Sequence, residues 1–203
     1  MKIAILGATG QVGSQLVSEA LSRGHSVTGL ARYPDPLPRH DNLKPVKANV
    51  TDYNHLPEII AGHDAVVSAV KFTSVNGAEL LAAIKRSKVP RLLVVGGAGS
   101  LEVAPGKRLI DQPDFPAEYK PEASAGAELL SLLQKETELN WTFLSPSAHL
   151  HAGARTGKFR LGRDTLLVDS SGKSHISIAD YAIALLDELE RPQHSKARFT
   201  VGY

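Results

Sequence analysis

Short apolar runs alternate with longer amphipathic segments along this 203-residue chain. The apolar runs are rich in Val, Ile and Leu, which is typical of parallel strands covered on both faces. They predict strands at residues 2–6, 26–31, 43–48, 65–70, 91–95, 141–144 and 199–201. Most of these runs are separated by enough residues for a helix, so the chain has the periodicity of repeated strand–helix units.

The amphipathic segments predict the helices. Apolar residues recur at helical intervals from Val12 to Leu21, and shorter patterns predict helices at 54–61, around 80–84, around 129–133 and at 178–189. Asn76 and Ser177 are placed to cap two of them, and Gly24 follows the first helix, where a residue free to take positive φ is favoured. Residues 101–121 are expected to be irregular, and 146–173 to form loops with a hairpin at 166–168.

Alternating strands and helices indicate an α/β fold: a doubly wound parallel sheet with right-handed crossovers. We expect a single domain over residues 1–203, with a cofactor part at about 1–145 and a small substrate-side lobe at about 146–175. Ligands of such sheets bind beyond the carboxyl ends of the strands. Six segments that follow strands should therefore meet in one cleft: 7–13, 32, 49–52, 68–71, 96–100 and 145–151.

The candidate chemistry is concentrated in the turn after the first strand. Gly7, Gly10 and Gly13 follow that strand at a three-residue spacing and lead into the first helix. Glycines lack the Cβ that would hold a pyrophosphate away from the backbone, and the N–H groups of a helix N-terminus attract anions. A tight turn without a ligand is the alternative, but strand, turn, helix and second strand follow in the order of a dinucleotide site. The turn also contains Thr9, Gln11 and Val12.

Composition excludes several other classes of function. The net charge is +2 and the basic residues are scattered, which argues against nucleic acid as a partner. The chain has no cysteine, so disulfides, thiolate metal sites and cysteine nucleophiles are excluded. No apolar run approaches 18 residues and no leader precedes the first strand, so we expect a soluble cytoplasmic protein without a membrane partner, as a monomer or homodimer.

Several motifs together resemble a known group. The turn Gly7–Gly13 has the GxxGxxG form of the extended and atypical short-chain dehydrogenase/reductases. The arginine after the second strand, Asn-Val-Thr-Asp at 49–52, Phe-Leu-Ser-Pro at 143–146, Thr-Gly-Lys-Phe at 156–159 and the 176–182 block are similar to the NmrA-like and NADH-flavin reductase (biliverdin-reductase-B-like) branch. This resemblance spans the chain and implies an NAD(P)-binding Rossmann fold.

The resemblance has one departure. Most short-chain dehydrogenases carry a Tyr-xxx-Lys pair after the fifth strand, in which the lysine lowers the tyrosine pKa. Here the nearby tyrosine is Tyr119, and position 123 is alanine. The pair is therefore absent at that spacing, which disfavours alcohol dehydrogenase or epimerase chemistry.

The strand ends provide candidate cofactor contacts. Arg32 stands where NAD-binding folds carry an acid for the ribose hydroxyls, so NADP is favoured and NAD remains possible. The alternative for Arg32 is an ordinary surface arginine. In relatives the adenine lies at Asn49 and Val50, although an Asx turn also explains Asn49. The resemblance places the nicotinamide ribose along the next strand end, at Ser68, Ala69 and Val70.

The acceptor side is predicted from the last two strand ends. Gly97 would let a flat group approach the backbone, and Pro146 ends the sixth strand beside it. Ser100 falls near the family's catalytic serine, or is a loop serine bonded to its own backbone. His149 and His151 follow Pro146; we expect one to face the pocket and the other water. Without a third ligand at suitable spacing, no metal site is expected.

These features predict an NAD(P)H-dependent oxidoreductase that transfers hydride to a planar acceptor such as a flavin or quinone. Ser100 and His149 are its candidate catalytic residues. The alternative is an NmrA-like regulator that senses the dinucleotide without turnover. An open space over the nicotinamide would favour the enzyme, and a filled one the sensor.

Overall fold

The chain folds around one large sheet with helices on both faces. The computed structural model describes residues 1–203. Its α-helices are α1 (Gln11–Ser22), α2 (Leu56–Ile60), α3 (Gly77–Arg86), α4 (Lys120–Gln134) and α5 (Ile178–Glu190). Its strands are β1 (Lys2–Leu6), β2 (Ser26–Ala31), β3 (Leu43–Lys47), β4 (Ala65–Ser68), β5 (Arg91–Val95), β6 (Glu102–Ala104), β7 (Lys107–Arg108), β8 (Asn140–Ser145), β9 (His149–His151), β10 (Arg160–Gly162), β11 (His175–Ser177) and β12 (Ala197–Gly202).

The main sheet has the strand order β3-β2-β1-β4-β5-β8-β12-β10. Every pairing in it is parallel except that of the edge strand β10, which runs antiparallel to β12. The order reverses at β1, which has β2 on one side and β4 on the other. This is the doubly wound arrangement that the sequence predicts, and such a reversal opens a crevice at the carboxyl end of the sheet.

Two layers of helices cover the sheet. Apolar residues of α1 and α5 pack on one face, and those of α2, α3 and α4 pack on the other. Side chains on successive strand positions alternate between these two cores, as in Ile3 and Ala4 of β1. No helix combines the length and the apolar character that crossing a membrane requires.

Several predicted element bounds are corrected. Strand β4 ends at Ser68 instead of residue 70, and α2 spans only Leu56–Ile60. The irregular stretch 101–121 contains the β6–β7 hairpin. The predicted hairpin at 166–168 is wrong: the neighbouring strand β10 pairs with β12, and the Leu166 amide donates to the Glu102 carbonyl. Residues 166–168 therefore form no hairpin. The nearby strand β10 instead joins the edge of the main sheet, a long-range pairing that no local pattern reveals.

The N-terminus of α5 fixes the loop that runs through residues 152–158. Ser177 caps α5 by accepting from the Asp180 amide, at 3.0 Å. The fully buried Asp180 carboxylate accepts from the amides of Thr156 and Gly157, each at 2.8 Å, and from the hydroxyls of Thr156 and Tyr203. Burial raises the pKa of the Asp180 carboxyl, but these hydrogen bonds outweigh burial and hold the pKa below the ordinary aspartate value.

Asp180→Asn should destabilise the fold by about 1–3 kcal/mol at neutral pH, because an amide cannot accept all four donors. The folded pKa is lowered, so the carboxylate's contribution is complete above about pH 4, where the unfolded aspartate is ionised, and is lost as the pH falls further. Urea unfolding of both proteins from pH 7 to pH 3 measures this. The difference between them should narrow below about pH 4, while exposed Asp35→Asn should have little effect; a pH-independent difference would contradict the assignment.

Candidate functional site

The glycine turn after β1 is packed too tightly for side chains at Gly7 and Gly13. Gly7 has φ of +79°, which residues with a Cβ rarely adopt. A Cβ at Gly13 would lie 2.0 Å from the Gly7 carbonyl oxygen, and a Cβ at Gly7 would lie 2.8 Å from the Ala69 carbonyl oxygen. The turn, helix α1 and the segment after β4 are therefore in backbone contact, as close packing of a dinucleotide turn requires.

The N-terminus of α1 offers unpaired hydrogen-bond donors. Gly10 occupies the N-cap without a capping side chain, and the first turn of the helix contains no acidic residue. No backbone carbonyl or side chain of the protein accepts from the amides of Gln11, Val12 or Gly13. Free amides at the positive end of a helix dipole fit a phosphate group. The tightly packed glycine turn and these free amides together match the pyrophosphate of a dinucleotide.

A cleft of about 470 Å³ opens beside this turn, at the carboxyl ends of β2, β3 and β4. Its lining contains two cations, Arg32 and Lys71, and no carboxylate. The complete lining is Gly7, Thr9, Gly10, Arg32, Ala48, Asn49, Val50, Thr51, Ala69, Val70, Lys71 and Ser74. The cleft thus combines apolar walls with positive charge, which suits a purine nucleotide that carries an additional phosphate.

Four of the six predicted segments contribute to this cleft. The segments at 96–100 and 145–151 contribute no lining residue, so their convergence with the other four stays a prediction. These two segments follow β5 and β8, which lie on the other side of β4 from the cleft. Ser68 and Pro146 are buried, and Gly97 lies beside Phe72, whose ring would be 3.5 Å from a Cβ at Gly97.

Ser100 belongs to a polar cluster around Arg198. The Arg198 side chain is 7% exposed, and its guanidinium forms an ion pair with Asp164 at 2.7 Å. It also donates to the Ser100 hydroxyl at 3.2 Å and, more weakly, to the Ser145 hydroxyl at 3.5 Å. Ser100 therefore has a long-range side-chain partner, which the sequence analysis did not anticipate.

His149 and His151 lie on the same face of β9. Their rings stack at a centroid distance of 5.2 Å, and His151 stacks on His175 of the paired strand β11 at 5.8 Å. The expectation that one histidine faces a pocket and the other faces water is therefore wrong, because residues two apart in a strand share a face. His149, at the end of this stack, is exposed. The chain contains no group of three or more metal-binding side chains.

Helix α4 carries no acid–base pair at the expected place. Tyr119 lies just before its first residue and is 62% exposed. Ala123, at the position of the absent lysine, packs closely against Gly99. A Cβ added to Gly99 would lie 2.8 Å from the Ala123 Cβ.

Sequence reasoning missed two residues of the cleft lining. Ala48 directly precedes the predicted Asn49, so the strand end already pointed to it. Ser74 reaches the cleft because residues 72–74 form a short 3₁₀ turn after β4, and no sequence signal marks that return.

The comparisons with known proteins agree with this geometry. A family model described as NAD(P)H-binding matches residues 7–189. The uncharacterised protein YwnB of Bacillus subtilis is 45% identical over 213 residues, which covers 99% of this chain and 98% of that protein.

Two solved structures are similar over the full length of the chain. A proposed epimerase from Bacteroides thetaiotaomicron is 43% identical with a TM-score of 0.95, covering 100% of this chain and 96% of that one. A proposed NADH-flavin reductase from Streptococcus pneumoniae is 36% identical with a TM-score of 0.88, covering 100% and 99%. The predicted fold and the predicted family resemblance are both confirmed.

Gly10→Val should raise the Kd for NADPH at least about tenfold, because a branched side chain would occupy the space that a phosphate needs beside the helix amides. Gly10 has an ordinary φ of −71°, so the fold should survive, as thermal unfolding can show. Gly24→Asn, at the other end of α1, is the matched control and should bind NADPH normally. Unchanged affinity in a folded Gly10→Val protein would contradict a dinucleotide at this turn.

Proposed function

Because this chain belongs to the NAD(P)H-binding family, we propose that it is an oxidoreductase that transfers hydride from NADPH to a planar acceptor such as a flavin or quinone. The observation that carries the proposal is the continuity of the glycine turn with the cleft that contains Arg32 and Lys71. The turn suits a pyrophosphate, and the cleft suits the adenosine half of the same molecule.

The chain's own groups bind and orient the cofactor. The amides of Gln11 and Val12 hold the pyrophosphate, and the Arg32 guanidinium pairs with the 2′-phosphate. Asn49 and Val50 line the adenine position. Ala69 and the neighbouring backbone support the nicotinamide ribose. The reduced nicotinamide supplies the hydride when it is bound. The protein's contribution to the hydride transfer itself is therefore placement.

The acceptor side of the proposal rests on the segments after β5 and β8. Gly97 has no side chain at this edge, and the ring beside it is that of Phe72, 3.5 Å from the position of a Cβ. Of the two candidate catalytic residues, His149 has the exposed ring, whereas the Ser100 hydroxyl is engaged by Arg198. His149 is therefore the better candidate for orienting an acceptor or giving it a proton, and Ser100 for shaping the site.

Two other functions compete with hydride transfer to a planar acceptor. The similarity to a proposed epimerase suggests sugar chemistry, but position 123 is an alanine packed on Gly99, so the usual tyrosine–lysine pair cannot form there. A redox-sensing regulator is the second candidate. One observation favours it: the segments expected to hold an acceptor line no part of the cleft beside the glycine turn.

Arg32→Ala should raise the Kd for NADPH about ten- to a hundredfold and leave the Kd for NADH nearly unchanged, because the variant loses a charge-assisted contact with the 2′-phosphate. Fluorescence titration with each cofactor measures this. Arg39→Ala removes another exposed arginine from the same β2–β3 connection, outside the cleft, and is the control. Equal losses for both cofactors would assign Arg32 a structural role.

An absorbance assay of NADPH oxidation distinguishes the enzyme from the sensor. The assay is run with each member of a panel of flavins and quinones as the acceptor. The enzyme proposal expects turnover with at least one acceptor, and Tyr119→Phe should retain it within about threefold, because no lysine is placed to activate that tyrosine. NADPH binding without turnover by any acceptor would favour the sensor. A loss of several hundredfold in Tyr119→Phe, with NADPH affinity preserved, would show that Tyr119 does act as an acid.

A further inference from the structure

A carboxylate of α4 is bound to the loop that walls the cofactor cleft. Glu122 Oε1 accepts from the Phe72 amide at 2.7 Å. Glu122 Oε2 accepts from the amide and the hydroxyl of Thr73, at 3.1 Å and 2.7 Å. One carboxylate thus receives three hydrogen bonds from two residues that lie about fifty positions away in the chain.

This loop connects β4 to α3 and faces the cleft directly. Residues 69–71 and Ser74 line the cleft, on either side of the two residues that Glu122 holds. The Ala69 carbonyl also touches the glycine turn, through the 2.8 Å approach to the position of a Gly7 Cβ. The position of the 72–73 backbone therefore determines where this cleft wall stands.

Packing supports the same attachment. The Phe72 ring stacks on Phe143 at a centroid distance of 6.2 Å and lies over Gly126 of α4, where a Cβ would be 2.8 Å from the ring. At the other end of the loop, the Asn76 amide donates to the Tyr53 hydroxyl at 2.7 Å. The loop is thus held at both ends, and Glu122 accepts the hydrogen bonds of its middle residues, Phe72 and Thr73.

We propose that Glu122 is a positioning residue for dinucleotide binding, acting through Phe72 and Thr73 on the cleft wall formed by residues 69–71 and 74. The inference rests on the proposed function, since it concerns the same cleft. Helix α4 lacks the catalytic pair at its expected spacing, and its Glu122 carboxylate instead sets the geometry of the cofactor cleft.

Glu122→Gln tests this with little change in shape. A glutamine has one acceptor oxygen, and its NH₂ group cannot accept from Thr73. We expect the Kd for NADPH to rise about five- to twentyfold. Residues 69–74 would be less ordered in the free variant, so part of the binding free energy would be spent on ordering them. The kcat at saturating NADPH and the acceptor KM should stay within about twofold. Hydrogen exchange of the Phe72 and Thr73 amides should accelerate in the free protein.

Two further variants control for charge and for folding. Glu118→Gln removes an exposed carboxylate from the same region and should bind NADPH normally. Thr73→Val removes one of the three donors, so its Kd should rise about two- to fivefold, and adding it to Glu122→Gln should cost little more. If Glu122→Gln does not fold, Thr73→Val decides the question alone.

The outcomes are distinguishable. A folded Glu122→Gln or Thr73→Val protein with wild-type NADPH affinity would overturn the inference and leave the proposed function standing. An equal loss of NADPH affinity in Glu118→Gln would also overturn it. The loss of a negative charge, and not the loss of the hydrogen bonds to Phe72 and Thr73, would then be responsible. A lower melting temperature with unchanged affinity would assign Glu122 to stability alone. A wild-type protein that binds neither NADPH nor NADH would refute both proposals.

Discussion

The close contact between the β1 turn and helix α1 is the constraint on which the rest of the site depends. With a hypothetical Gly13 Cβ only 2.0 Å from the Gly7 carbonyl oxygen, the helix approaches the turn as closely as the two backbones allow. Its free amides are thereby placed at the carboxyl edge of the sheet, beside the point where the strand order reverses. The cleft between β2, β3 and β4 is useful to a dinucleotide only because that anion site lies next to it.

Buried carboxylates at the two ends of α5 connect this helix to the loop at 156–157, to strand β5 and to the segment at 193–194. At the N-terminal end, Asp180 holds the loop at 156–157. At the other end, Glu188 pairs with Arg91 at 2.8 Å and accepts from the backbone of Gln193 and His194. Charges this deeply buried are tolerated only when several donors surround them. Both sites meet that condition, so α5 and the segments at its ends keep a fixed position against β5, β8 and β12.

Helix α4 occupies the place after β5 where many short-chain dehydrogenases carry a Tyr-xxx-Lys pair, but it does not carry that pair. Small residues bring it close to its neighbours, with Ala123 against Gly99 and Gly126 under the Phe72 ring. Position 123 is thus occupied by a small residue packed on Gly99, in place of the lysine of a Tyr-xxx-Lys pair. What the helix does contribute beside the cleft is the Glu122 carboxylate, which accepts hydrogen bonds from Phe72 and Thr73.

The sequence by itself determined the order of the major strands and helices, the caps at Asn76 and Ser177, and the glycine turn with its neighbouring Arg32, because periodicity, capping and turn chemistry are local properties. Only the tertiary structure decided that the edge strand β10 replaces a hairpin, that Ser100 binds Arg198, that the two histidines stack on one face, and that Glu122 holds the loop beside the cleft. These contacts join residues that are far apart in the chain, as Glu122 is from Phe72, and no local pattern specifies which distant donor a side chain will meet.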